Sequence, residues 1–228
     1  MKIELLYHSP LWVASKAIRK CWSSEDKSDS YYSVTWNDNI PLSECDISTS
    51  DKEAIHCGTK DKALIDRVGN QNKHKSTLEH LVYTFDIDGI SRACLQEVAR
   101  HRIASYSVKS TRYTLKELRE ASLSKEEDYD KFLVKTGFQH IDSINEETLN
   151  AVQAELVKNK SNDYAKYTLP EAYKTSLVMT INARSLQNFL ELRSSKHALW
   201  EIRGLARELY TALPVDHQYL FEYCIKDN

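Results

Sequence analysis

Residues 81–113 read LVYTFDIDGISRACLQEVARHRIASYSVKSTRY, a strand signal, a glycine, a helix signal and a dense basic segment in that order. Val82, Thr84 and the aromatic residues Tyr83 and Phe85 make 81–88 the best strand candidate in the chain. Gly89 reads as its stop, and Ile90–Ala99 as a helix that delivers Arg100 at its C-terminal end. Arg100–Tyr113 then reads as a loop. Arg100, Arg102, Lys109 and Arg112 fall within it beside His101, interleaved with Ser105, Ser107, Ser110 and Thr111, and no acid interrupts them. A solvated face normally mixes the two signs. Forked guanidinium donors among hydroxyls suit phosphate oxygens and a uracil-like carbonyl edge, because arginine can grip such acceptors in bidentate fashion.

Outward from this stretch, the chain alternates strand and helix signals irregularly. Upstream, residues 2–7 read as a short strand, and Ser9-Pro10 as a helix start with serine as cap and proline in the first turn. That helix runs to about Trp22. Residues 23–52, polar and rich in Ser and Asp, read as a long irregular connection, and Lys60–Val68 as a short helix. Downstream, 115–136 is highly charged and reads as helical surface. A further helix covers about Glu146–Tyr167, stopped by Leu169-Pro170. Ser176–Ile181 reads as a strand, then Asn182–Leu192 and His197–Leu213 as two helices. There is no regular βαβ spacing, and the chain has only 5 glycines, so a dinucleotide-binding Rossmann unit is not expected. The pattern predicts an α+β fold with an antiparallel sheet, in one domain over 1–228.

Composition narrows the function classes. With 228 residues, 41% hydrophobic and 28% charged, the chain can bury a core and is not a disordered protein. The formal net charge of -2 gives no global field for nucleic acid, so any polyanion site is local. No run of about 18 apolar residues offers a membrane span. The opening MKIELLY carries an acid where an export signal needs an apolar core, so a cytoplasmic location is expected. The 5 cysteines are scattered without a close pair, which fits a reducing compartment and gives no zinc signature. Cys94 sits on the apolar side of its helix pattern and reads as a buried structural thiol, not a nucleophile.

Two further segments invite a functional reading. His74 to His80 resembles a metal motif, but such a motif sets its histidines one helical turn apart. These are six apart with Lys75 after the first, so no metal is expected. The plainer reading is a cap built on Ser76 or Thr77, with Glu79 as a polar partner. In the other segment Asn182 reads as a helix cap, which puts Arg184 in the first turn, where the dipole disfavours a cation. That placement points to a ligand or an acidic partner. Tyr106 and Tyr113 are candidates to stack on a planar ligand.

Arg100-His101-Arg102, then seven residues, then Ser110 with Arg112-Tyr113, resembles the signature of the flavin-dependent thymidylate synthases. Asn182-Ala183-Arg184-Ser185-Leu186, Asn188-Phe189, Arg193, His197-Ala198 and Glu201-Ile202-Arg203 resemble the same family, and His74–His80 resembles its upstream segment. The matches span 74–203 in the family's order. The resemblance implies a central antiparallel sheet flanked by helices, as in thymidylate synthase-complementing proteins. It implies a homotetramer with active sites shared between subunits, bound FAD reduced by NADPH, and methylenetetrahydrofolate as carbon donor. The reaction it implies is methylation of dUMP to dTMP without an enzyme cysteine attacking the uracil ring.

Carried over by position, Arg100, His101 and Arg102 would contact FAD, with Arg100 also near dUMP. Ser76, Asn182, Arg184 and Asn188 would contact the flavin too, and Val108 would lie by both ligands. Val108, Lys109, Ser110, Thr111 and Arg112 would cradle dUMP, with Ser110 and Arg112 towards its phosphate. Arg193 would be the catalytic group, hydrogen-bonding the uracil and favouring its anionic form. His74 would lie where folate or nicotinamide stacks on the flavin. The chain departs from the family pattern at several positions. Ser107-Val108 replaces Asn-Glu of some members, so a contact from Val108 must use its backbone. Lys75 and Thr77 replace the usual Glu and Pro. Glu97 stands where some members have a dUMP-contacting Gln, and Lys166 where Arg is common. A non-catalytic nucleotide- or RNA-binding module could use the same basic segment, but the balanced charge and the Asn–Arg segment weigh against it. A flavoprotein of other function is the third reading.

Overall fold

In Lys174–Asn182 every second residue is buried, Thr175, Leu177, Met179 and Ile181 pointing one way, as a strand with one face on a core requires. The same alternation buries Tyr83, Phe85 and Ile87 in Val82–Ser91. The protein's structure is a computed structural model that describes residues 1–33, 39–41, 55–159 and 161–226, with backbone alone at 39–41 and 159. Its elements begin with β1 (Lys2–His8), α1 (Trp12–Cys21), β2 (Tyr31–Ser33), β3 (Asn39–Pro41), β4 (Ile55–His56) and α2 (Thr59–Asp66). They continue with β5 (Val82–Ser91), α3 (Arg92–Ala99), β6 (Ala104–Val108), α4 (Thr111–Thr114), α5 (Lys116–Glu120) and α6 (Glu126–Tyr129). The last are α7 (Gln139–Asn159), α8 (Asn162–Ala165), β7 (Lys174–Asn182), α9 (Ala183–Arg193), α10 (Trp200–Thr211) and α11 (Val215–Gln218). One sheet has the strand order β1-β5-β7-β6, and a small antiparallel sheet has the order β3-β2-β4. The result is the expected mixed α+β class with an antiparallel sheet.

Contacts divide the chain into two compact units. The first holds Met1–Glu4, Asp86–Arg102 and Tyr106–Met179. Its separate apolar core is built from Leu115, Leu118, Leu133, Leu149, Val152, Leu156, Ala165, Leu169 and Tyr173. Leu149, Val152 and Leu156 recur at helical spacing, which turns one stripe of α7 to that core. The second unit holds Leu5–Phe85, Ile103–Ser105 and Thr180–Asn228. There α1 packs on α2, and α9 packs on α10 and on the short 3-10 helix Lys75–His80. Leu78, Phe189, Leu190, Ile202, Leu205 and Leu209 are all fully buried.

Several expectations need correction, each for a physical reason. Ser9 does not cap α1; its N–H donates to the Val82 carbonyl and its hydroxyl accepts from the Val82 N–H, so it extends strand pairing. The helix start has Leu11 at its cap with no side-chain cap bond. Gly89 does not stop β5. Its φ of 75° lets the strand slip phase, so that burial moves from Ile87 to Ile90 and Ser91 while the strand runs on. Residues 23–52 are not merely irregular, since Tyr31–Ser33 and Asn39–Pro41 pair as strands; positions 34–38 and 42–54 lie outside the described residues. The charged stretch 115–136 forms only the short helices α5 and α6, and α7 starts seven residues before the expected Glu146.

Helix α2 has a cap that local reading misses. Gly58 precedes it, and the Asp29 carboxylate accepts from the N–H groups of Lys60, at 2.7 Å, and Asp61, at 2.9 Å. A Cβ on Gly58 would stand 2.3 Å from Asp29, which is why glycine occupies the position.

Candidate active site

The basic segment is a turn, a strand and a short helix. Arg100 follows α3, His101 and Arg102 form the turn, and β6 carries the chain on as the outer strand beside β7. Tyr106 on β6 holds that turn in place. Its phenol donates to the His101 carbonyl at 2.6 Å and the Val98 carbonyl at 3.1 Å. Burial raises the phenol's pKa, so it remains a donor at neutral pH. Tyr106 is therefore a structural tie of this turn. His101 is buried beneath the turn, while Arg100 and Arg102 project to solvent. The Arg100 guanidinium reaches Glu97 one turn back on α3 at 3.4 Å.

The far end of the segment is held to the first unit's helices. β6 ends at the exposed Val108, and the Lys109 N–H donates to the Ser176 carbonyl at 2.8 Å. Ser110 precedes α4 without spending its hydroxyl on a cap bond, and Thr111 opens that helix. The Lys109 ammonium donates to Glu117 of α5 at 2.9 Å. Arg112 Nε lies 3.0 Å from Asp163 Oδ1 of α8. The Arg112 carbonyl accepts from Asn162 Nδ2 at 2.7 Å, and Asn162 in turn accepts from Arg119 at 3.0 Å. Lys166 lies just beyond α8 with its ammonium over the Tyr167 ring. The acids missing from the segment in sequence are thus supplied by the fold. Nothing local in the sequence signals Asp163 or Glu117 as partners, because both pairings are tertiary.

In the second unit, His74 leads into the Lys75–His80 turn, where Thr77 donates to the His74 carbonyl at 2.9 Å. The expected cap on Ser76 or Thr77 is not formed: the 3-10 helix starts from His74 without a side-chain cap bond, and Ser76 and His74 are exposed. Glu79 meets Arg184 at 2.6 Å, which is the acidic partner that the arginine's position in the first turn of α9 called for. Asn182 caps α9 as expected, its Oδ1 accepting from the Ser185 N–H at 2.9 Å. Arg184 and Asn188 lie one turn apart on an exposed face, and Arg193 ends the helix half-buried. A cavity of about 380 Å³ in this unit is lined by Trp12, Ser15, Lys16, Arg19, Glu25, Asp26 and Ser28, and includes none of the predicted site residues.

Cysteine chemistry has no footing at three described positions. Cys94 is fully buried, and burial pushes the Cys57 and Cys224 thiols up to about 11, so both stay protonated at neutral pH. Among the described residues no group of three or more His, Cys, Asp or Glu side chains is gathered as a metal site would need. No helix of the described residues is long and apolar enough to cross a membrane.

The guanidinium, ammonium, amide and hydroxyl groups that each unit presents are of the kind that suits phosphorylated, planar ligands. The family model of thymidylate synthase complementing proteins matches residues 4–214. A flavin-dependent thymidylate synthase of Campylobacter jejuni is 53% identical over 99% of this chain and 98% of its own length. One from Wolinella succinogenes is 52% identical over 97% of each. A crystal structure of thymidylate synthase X from Helicobacter pylori, with FAD and dUMP, is 45% identical, covers 100% of both chains and superposes with a TM-score of 0.84. The chain belongs to the thymidylate synthase complementing protein family.

Proposed function

We propose that this chain is a flavin-dependent thymidylate synthase that methylates dUMP to dTMP, with NADPH as reductant and methylenetetrahydrofolate as carbon donor. The observation that carries the reading is the full-length match to a Helicobacter pylori enzyme whose structure contains FAD and dUMP. The donor set fits a flavin dinucleotide. Arg100 and Arg102 offer exposed guanidiniums for phosphate oxygens, Asn188 an exposed amide, and Asn182 keeps its amide nitrogen as a donor while its oxygen caps α9. Ser76, His101, Val108 and Arg184 complete the proposed flavin set. When bound, FAD supplies the redox equivalents that the methyl transfer requires.

The chain's own residues bind, orient and polarise. Ser110 and Arg112 take the dUMP phosphate, Lys109 and Thr111 flank it, and Val108 contributes backbone groups. Glu97, Arg100 and Lys166 lie at the other proposed nucleotide contacts. Arg193 hydrogen-bonds the uracil and stabilises its anionic form, since a fixed cation acts strongly where water is scarce. The protonated thiols of Cys57 and Cys224 agree with a route that uses no cysteine nucleophile. His74 lies where folate or nicotinamide stacks. The chain works as one enzyme domain, in a cytoplasmic homotetramer whose sites are shared between subunits.

Absorption of the purified protein, with FAD added, tests the class. Absence of flavin bands would favour a binding module. A flavin that NADPH reduces without dTMP appearing from dUMP and methylenetetrahydrofolate would favour a flavoprotein of other function. Arg193→Ala is expected to abolish turnover and keep FAD; near-normal methylation by that variant would remove its proposed role.

A further inference from the structure

We propose that Asp163 is an internal counter-ion of the nucleotide site, holding Arg112 until a phosphate dianion displaces it and thereby setting how tightly substrate and product are held. The inference rests on the proposed reading of Ser110–Arg112 as the phosphate end. Arg112 Nε lies 3.0 Å from Asp163 Oδ1, and the two side chains are 60% and 51% exposed. An exposed pair of this kind is worth no more than about fivefold in an equilibrium constant, so it yields to a stronger anion. A phosphate monoester carries a charge of about -1.5 to -2 at pH 7 and three acceptor oxygens, which is enough to outcompete one carboxylate. An uncharged nucleoside is not.

The surroundings are built for such an exchange. The Arg112 carbonyl is fixed by Asn162, and Asn162 by Arg119, so the backbone stays in place when the guanidinium turns from acid to ligand. Lys109 is held by Glu117 in the same way, at 2.9 Å with side chains 40% and 49% exposed. Both cations at this end of the segment therefore rest against acids from α5 and α8. Asp163 acts through Arg112, so it is a positioning residue.

The test is calorimetric titration of the FAD-loaded enzyme with dUMP, dTMP and deoxyuridine. Asp163→Asn is expected to tighten dUMP and dTMP about threefold to fivefold and to leave deoxyuridine unchanged. KM for dUMP falls while kcat does not rise. Asp163→Ala should do the same, because it too removes the charge. Unchanged or weaker dUMP binding in both variants, with deoxyuridine binding as in the parent, overturns the proposal. Arg112→Ala separates this from the site reading. If it leaves the preference for dUMP over deoxyuridine intact, Arg112 is not at the phosphate and both readings fail. If it erases the preference while the Asp163 variants show no tightening, only the counter-ion role fails.

Discussion

Arg19–Asp61 and Arg112–Asp163 are the same pair of groups in opposite surroundings. Asp61 is fully buried, and Arg19 reaches it at 2.6 Å through Nε and 2.5 Å through Nη2. Ser28 and Ser30 donate to the same carboxylate at 2.6 Å and 2.5 Å. Burial alone would raise the Asp61 pKa, but these hydrogen bonds and the Arg19 charge outweigh it and hold it below the usual carboxylate range. Asp163 is half exposed to solvent and, among the described residues, is paired with Arg112. The difference teaches that burial, not pairing, separates an ion pair that ties α1 to α2 from one that a ligand can take apart.

The largest break in that contrast is Arg19→Met. It leaves a buried carboxylate without its cation, and a loss of about 3–5 kcal/mol is expected from urea unfolding at neutral pH. A loss under about 1 kcal/mol would place the pair with the surface ones.

A second buried polar group gives a pH-dependent effect. The Tyr83 hydroxyl and His217 Nδ1 share a hydrogen bond of 2.8 Å, and His217 is 2% exposed. Burial pushes its pKa down to about 4, with His8 and Lys62 acting in the same direction and Asp216 opposing them. Below the ordinary histidine value the unfolded chain takes a proton that the folded one refuses. The stabilisation is therefore full above pH 6.5 and is lost as pH falls towards about 4. Between pH 7 and pH 5 the expected loss is about 2 kcal/mol. Unfolding curves of the parent and of His217→Gln at the two pH values isolate it, the variant lacking this part of the slope.

Tyr106→Phe comes next. It removes the donor that ties the His101 and Val98 carbonyls, at a cost of about 1–2 kcal/mol, and loosens the Arg100–Arg102 turn. Weaker FAD retention with little change in KM for dUMP is expected. The smallest effect is on the exposed pair, where Asp163→Asn should change stability by less than about 1 kcal/mol, whatever it does to nucleotide affinity.

What could be read from the sequence was local. β-Branched and aromatic residues marked β5 and β7, and Asn182 announced its cap and, through Arg184, a ligand or an acid, of which the fold supplies the acid Glu79. The proposed site residues stand out as motifs, because a motif is a run of neighbours. What escaped depends on residues far apart in the chain. Asp29 caps a helix thirty positions on, Tyr31–Ser33 is a strand only because it has partners, and Gly89 bends a strand that it seemed to end. The acids that meet Lys109 and Arg112 belong to this second kind. So does the role of Tyr106, which composition alone presents as one tyrosine among 13.

Among the described residues β6 is an outermost strand of its sheet, and one row of its backbone groups has no neighbouring strand there. Such a rim invites another copy's strand to add on, and proteins commonly discourage this with charge. Arg100 and Arg102 stand before β6, and Lys109 and Arg112 after it. Two copies approaching rim to rim would bring like charges together at both ends of the strand. The residues proposed to hold the flavin and the nucleotide therefore also discourage edge-to-edge pairing, and neutralising several of them at once is expected to lower the yield of refolding as well as ligand binding.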